Sequence, residues 1–276
     1  MKTGVVDHFE RSGLVFPVRD HGPADAEAVL LLHGFPQDAS SYDEVVPRLV
    51  NAGFRVLVPT QRGYAASARP RRRRDYRPSE LIADVVGLLD AAGLDRVHLV
   101  GHDWGGAVAW GVAGRYPQRT RSVTVLSTPH PRAWAESMVR SNQALRSWYM
   151  ALFQLPWLPE LLLSSRLATT LSDSGLPAEY AARYCEAMAH REALTGAVNW
   201  YRGMMLSGLT PDVAVPSSYV WGTRDFALGR VAAERTAAHV TGDYTFEALR
   251  AGHWLPETRP EQVARAIVER ARSATA

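Results

Sequence analysis

Cysteine is almost missing from this 276-residue chain. Cys185 stands alone, so no intramolecular disulfide can form, and a reducing compartment, the cytoplasm, is the expectation. Lysine is equally scarce: Lys2 is the only one among 31 cationic side chains, the rest being arginine, which reads as codon bias. No apolar run approaches the ~20 residues that a membrane-spanning helix requires. The stretch Ala28 to Leu32 is far too short, and no membrane partner is expected. Met1 to Arg19 mix charges with short apolar pairs and read as lacking a secretory leader. Internal repeats and low-complexity tracts are missing as well, apart from the cluster Arg69, Arg71, Arg72, Arg73, Arg74 and Arg77. Tyr76 is its only aromatic platform and no nucleic-acid motif accompanies it. The cluster therefore reads as a solvated loop before a helix, and no nucleic-acid partner is expected.

What is present is ordinary for one large globular unit, or for a core with an inserted subdomain: 46% hydrophobic residues, 21% charged residues and a net charge of +3. Leu14 to Val18, Ala28 to Leu32, Phe54 to Val58, Val97 to Val100 and Ser122 to Leu126 read as strands. The later ones are continuous apolar runs, the pattern of strands buried on both faces of a parallel sheet. Helical patterns lie between them at 41–52, 79–92 and 104–116. Gly53 and Gly93 sit where helices should stop, and Ser79 sits at a plausible N-cap. This alternation predicts an α/β fold with a mostly parallel sheet and right-handed crossovers.

The rhythm breaks after Thr128. From Pro129-His130-Pro131 to about Pro211-Asp212 the chain has helical periodicity, little strand character and many aromatics. It reads as a helical cap, residues 131–212, inserted into a core formed by residues 1–130 and 213–276. Strand character returns at Ser218–Trp221 and Tyr244–Leu249, with helices expected near Val231–His239 and from Pro260.

The chemistry centres on Gly101-His102-Asp103-Trp104-Gly105-Gly106, directly after the apolar run Val97-His98-Leu99-Val100. The frame is that of a nucleophile elbow, in which a strand turns sharply into a helix and exposes one side chain. The exposed position holds Asp103 where serine is usual. A carboxylate is already ionised at neutral pH, and it attacks saturated carbon to leave an alkyl ester on the enzyme. Epoxides or alkyl halides fit this better than esters or amides. The plain alternative is a buried aspartate capping the helix, which the glycine frame and the downstream residues disfavour.

Taken together, His33-Gly34-Phe35-Pro36, the Asp103 elbow, Trp221-Gly222-Thr223-Arg224-Asp225, Gly252-His253-Trp254 and two tyrosine segments resemble the α/β-hydrolase superfamily. Within it they resemble the epoxide hydrolases with an aspartate nucleophile. The resemblance covers nearly the whole chain. It implies Asp103 as nucleophile, Asp225 as the acid orienting His253, and His253 as the base that activates water. It implies an oxyanion hole from the backbone N–H groups of Phe35 and Trp104. Trp148-Tyr149-Met150-Ala151-Leu152-Phe153-Gln154 is similar to the first tyrosine motif of that family, and Asn199-Trp200-Tyr201-Arg202 to the second. Tyr149 and Tyr201 would then donate to the opening epoxide oxygen. Phe226 departs from the proline that often follows the acid. His33 and His102 are expected to be structural.

The expected substrates are a small apolar epoxide and water, with no cofactor and no metal; a homo-oligomer is left open. A haloalkane dehalogenase is the nearest rival, with Trp104 as one halide donor. It generally needs a second donor, often asparagine after His-Gly, where this chain has Phe35. A fluoroacetate dehalogenase would place arginine at position 104. A ligand-binding protein that lost catalysis is disfavoured by the complete set Asp103, Asp225 and His253.

Overall fold

The computed structural model describes residues 4–206 and 208–275. The chain opens with a hairpin, β1 (His8–Arg11) and β2 (Leu14–His21), followed by β3 (Ala28–Leu32), α1 (Val46–Asn51), β4 (Arg55–Pro59) and α2 (Pro78–Ala91). Then come β5 (Val97–His102), α3 (Trp104–Arg115) and β6 (Thr120–Leu126). Six helices follow without an intervening strand among the described residues: α4 (Pro131–Arg140), α5 (Gln143–Arg146), α6 (Trp148–Leu152), α7 (Leu158–Asp173), α8 (Ala178–Ala187) and α9 (Arg191–Met204). The chain closes with β7 (Ser217–Gly222), α10 (Arg230–Arg235), β8 (Tyr244–Leu249), α11 (Leu255–Thr258) and α12 (Pro260–Thr275).

The eight strands form one sheet in the order β1-β2-β4-β3-β5-β6-β7-β8. The β1/β2 and β2/β4 pairs are antiparallel and all the others parallel. Every residue of β3, β4, β5 and β7 is buried, which is why these strands show apolar runs instead of alternation. Alternate residues serve opposite faces. Leu30, Leu32, Leu57 and Leu99 join the core that includes α2 and α3 residues, whereas Val29, Leu31, Val56 and Val100 pack with residues of α1 and α12.

Four local details differ from the sequence reading. The β1 strand has no apolar pattern to announce it; Ser12 and Gly13, both at positive φ, fold it back on β2. The helix expected at 41–52 is broken into a 3-10 turn, Ala39–Tyr42, and α1, which starts with Pro47 in its first turn. Proline lacks an N–H and fits only there. For the same reason α2 starts at Pro78 with Arg77 as its cap, so Ser79 lies inside the first turn. The helix expected at Val231–His239 is α10 followed by a 3-10 turn, Thr236–His239. Gly53 and Gly93 do end their helices, both at positive φ.

Arg71 to Arg74 are exposed in the loop before α2, as expected, whereas Tyr76 is buried. Arg69 is structural, donating to the carbonyls of Gly63 and Tyr64. No helix among the described residues is long and apolar enough to cross a membrane.

Candidate active site

Chain order reverses at β3. From β3 the chain moves outward to β4, then returns past β3 to β5 and continues to β8. Such a switch point leaves a crevice beyond the carboxyl ends of the two central strands, where ligands bind in open α/β sheets. Leu32 pairs with Gly101, so the loop that starts at His33 and the turn at Asp103 leave the sheet side by side. Asp225 follows β7 and His253 follows β8 on that same carboxyl edge.

Between β5 and α3 the elbow strain falls on Asp103 itself, at φ 49° and ψ −120°. Such a backbone costs about 1–3 kcal/mol for a non-glycine residue and clusters at functional sites. The glycines around it are needed for close approach. A Cβ on Gly101 would lie 2.2 Å from the Gly105 carbonyl oxygen, and one on Gly105 would lie 2.2 Å from that of Leu32. Asp103 occupies the cap position of α3, but its side chain makes no cap hydrogen bond. It turns instead to the β3 loop, where Oδ1 accepts from the Phe35 N–H at 2.8 Å. That geometry rules out the simple helix-capping reading.

His253 stands on the other side. Its Nε2 lies 3.5 Å from Asp103 Oδ2, and its Nδ1 donates to Asp225 Oδ2 at 2.8 Å. Asp225 is fixed in turn, Oδ1 accepting from the N–H groups of Ala227 and Leu228 at 2.8 and 2.9 Å. The Trp104 N–H is the first of α3, one of the donors that a helix start leaves without an intrahelical partner. Phe35 and Trp104 thus flank the carboxylate from the β3 loop and the α3 start.

The two tyrosines come from separate helices and meet over this point. Tyr201, on α9, sets its ring edge-on to Trp104 at 4.8 Å and to Phe35 at 5.4 Å between centroids. Tyr149, on α6, lies 6.0 Å from Tyr201, and Phe153 packs against both. Their placement is built in. Buried Arg202 pairs with Glu160 of α7 at 2.7 Å and donates to the Phe153 and Leu155 carbonyls, while Gln154 donates to the Tyr201 carbonyl. All seven residues picked out in the sequence therefore share one site.

Comparison with known proteins bears on the fold and the family. The sequence matches the alpha/beta hydrolase fold family over residues 27–260. It is 32% identical to "Epoxide hydrolase A" of Mycobacterium tuberculosis, over 94% of this chain and 95% of that protein. It is 34% identical to "AB hydrolase superfamily protein YfhM" of Bacillus subtilis, over 94% of each. The crystal structure of epoxide hydrolase A from Mycobacterium thermoresistibile superposes with a TM-score of 0.83 at 30% identity, covering 96% of this chain and 97% of that one. The chain belongs to the epoxide hydrolase branch of the α/β-hydrolase family.

The electrostatics of this α/β-hydrolase follow from the geometry. Burial opposes charge on His253, yet Asp225 and Asp103 on either side outweigh it and push the imidazole up to about 10. Burial alone would raise Asp103, but His253 and the Phe35 N–H hold it below the usual carboxylate range. The resting site is thus an ion pair with a ready anion. Burial pushes both the Tyr149 and Tyr201 phenols up, and the Asp103 charge adds to it. Both are protonated donors at neutral pH. His33 and His102 are buried and held neutral, burial pulling each down to about 4. His33 accepts the Gln61 N–H and keeps to a structural place.

Several neighbours lie outside the residues picked out in the sequence. Phe226 is 47% exposed with its ring 5.3 Å from that of His253, so the departure from proline puts an apolar face on the histidine. Gln37 and Glu257 lie buried behind the site. Gln37 directly follows the His33–Pro36 turn and Glu257 falls four residues after His253, spacings that could have singled them out.

Gly34 offers a sharp test. A Cβ there would lie 2.4 Å from Asp103 Cβ and 2.7 Å from its Oδ1. Misplacing a reacting group by about 1 Å can cost roughly 10²-fold. Gly34→Ala in the α/β-hydrolase is therefore expected to lower kcat about 100-fold while circular dichroism still reports a folded protein. A kcat within threefold of the parent would contradict the tight approach.

Proposed function

We propose that this chain hydrolyses an apolar epoxide to its vicinal diol through an ester on Asp103. The observation that carries the reading is the pair of phenols, Tyr149 and Tyr201, meeting over the residues that flank the Asp103 carboxylate. An epoxide oxygen leaves as an alkoxide, a poor leaving group unless it is protonated as it forms, and a phenol of pKa about 10 or above is a suitable donor. The activity for which these relatives are named supports the same reading.

In the first step Asp103 attacks a ring carbon, the C–O bond to that carbon breaks, and the freed oxygen takes a proton from a tyrosine. Asp103 is then a glycol ester without charge. Once Asp103 is a neutral ester, the His253 imidazolium gives its proton to the tyrosinate. In the second step the neutral ring takes a proton from water and hydroxide attacks the ester carbonyl carbon. The N–H groups of Phe35 and Trp104 stabilise the oxyanion. The tetrahedral intermediate collapses, the bond between carbonyl carbon and glycol oxygen breaks, and the diol leaves with an oxygen that came from Asp103. His253 keeps the proton taken from water, which restores its ion pair with the freed Asp103 carboxylate. Residues 131–212 act as a cap over a core of residues 1–130 and 213–276, and the aromatic lining of Phe35, Trp104 and Phe153 favours an apolar substrate. A single cysteine offers no disulfide to preserve, which supports a cytoplasmic site of action.

Styrene oxide in ¹⁸O water tests the route. In a single turnover the diol should be unlabelled at the new oxygen and the label should sit on Asp103. Label wholly in the first-turnover diol would exclude the ester. Asp103→Ala should form no diol. Halide release from 1,2-dibromoethane without diol from styrene oxide would favour the dehalogenase reading instead.

A further inference from the structure

Behind the site lies a buried carboxyl that the two steps above do not use. Glu257 sits on α11, and its Oε1 accepts two hydrogen bonds: from Gln37 Nε2 at 2.5 Å and from the Tyr184 hydroxyl on α8 at 2.8 Å. Oε2 is buried without a hydrogen-bond partner. Gln37 and Tyr184 are fully buried. The other end of the Gln37 amide faces the site, its Oε1 accepting from the Gly34 N–H at 2.9 Å and lying 2.8 Å from His102 Nδ1. His102 Nε2 in turn lies 2.9 Å from the His253 carbonyl oxygen, which also accepts from Ser127 Oγ at 2.7 Å.

An amide has one accepting and one donating end, and a turn of 180° exchanges them. Turned over, Gln37 would point its NH₂ at the Gly34 N–H, donor against donor. The Gly34 N–H favours the observed orientation from one end, and the Glu257 carboxyl, a strong acceptor, favours it from the other. Because Gly34 precedes Phe35, whose N–H points at Asp103, the amide orientation bears on the oxyanion loop. Through the His102 ring it also bears on the backbone of His253. Both loops serve the hydrolysis of the ester. Neither is the group that opens the ring.

We propose that Glu257 is a positioning residue for ester hydrolysis, holding Gln37 in register and tying helix α8, through Tyr184, to the two loops that face Asp103. The inference rests on the covalent reading above. Its reach is selective: the second step needs His253 as base and the Phe35 N–H on the oxyanion, whereas in the first step Asp103 attacks already ionised and a tyrosine supplies the proton.

The test is single-turnover chemistry on styrene oxide, following adduct formation and decay by quench and intact mass. Glu257→Leu removes the acceptor and should slow decay of the ester at least tenfold while formation changes less than threefold. Glu257→Gln keeps an accepting oxygen for both donors and should restore decay to within threefold of the parent. Tyr184→Phe should slow decay a few-fold with formation unchanged. A folded Glu257→Leu protein with parental decay, or a Glu257→Gln protein as slow as Glu257→Leu, overturns the proposal. If Glu257→Leu does not fold, an unchanged ratio of the two steps in Tyr184→Phe overturns it. If the parent forms no adduct at all, the covalent reading fails first and the role of Glu257 falls with it.

Discussion

His253→Gln is expected to leave the protein stalled one substrate heavier. Gln can still hydrogen-bond to Asp225 but cannot take a proton from water, so Asp103 would be alkylated and the ester would persist. General-base catalysis is worth roughly 10²–10⁴-fold. Steady-state turnover of styrene oxide should therefore fall by at least about 10²-fold, with a stoichiometric burst equal to one substrate per chain. Intact mass after mixing should show the adduct, and peptide mapping should place it on Asp103. A protein with normal turnover, or a slow one without adduct, would remove His253 from the second step.

The same side chain predicts how the two steps respond to pH. In the free site His253 is pushed up to about 10 by Asp225 and Asp103 against the opposition of burial. Alkylation turns Asp103 into a neutral ester and removes one of those two anions. Losing an anion disfavours the imidazolium, so its pKa falls and the ring becomes a base at the point when one is needed. Formation of the ester depends on ionised Asp103, already held below the usual carboxylate range, and should be flat through neutral pH. Decay of the ester should rise with pH and level off at a pKa below 10. The sign for folding is opposite. A His253 pKa raised in the folded chain contributes stability at pH values below about 6.5, the unfolded value. That contribution is lost as pH rises towards 10.

Much of this was legible in the residue order because the chemistry is local in sequence. The apolar runs of β3 and β5 and the glycines that follow β5 specify a strand, a turn and a helix over a few residues. Asp103 had only one place to go. His253 and Asp225 were found for a related reason, each standing just after a strand on the same edge of a parallel sheet. The hairpin strand β1 escaped notice because its residues, His8-Phe9-Glu10-Arg11, pair at an edge and bury only Phe9. The helix starts at Pro47 and Pro78 are harder to read, because propensity for a helix interior says nothing about the first turn, where proline is at home. Gln37 and Glu257 are a different case. They touch across 220 residues of chain, and no periodicity can announce a contact made by the folding of the whole sheet.

Removing both phenols should produce a loss at the opposite end of the cycle. In Tyr149→Phe/Tyr201→Phe the packing survives, since each ring keeps its aromatic neighbours, Phe153 and Phe35 among them. What disappears is the pair of phenols proposed to protonate the leaving oxygen. The alkoxide would then form in a buried site next to an anionic carboxylate, with nothing to offset its charge. One general acid typically contributes about 10²–10⁴-fold, and two that share one oxygen partly replace each other. Each single variant should thus be modest, within about 10–100-fold, while the double variant should lose more than the larger of the two by at least another tenfold. The loss must fall on formation of the ester: no adduct should accumulate even when His253→Gln is added. Adduct formation at the parental rate in the double variant would mean that the phenols only pack. Unimpaired dehalogenation by the same protein would move the chemistry to a leaving group that needs no proton.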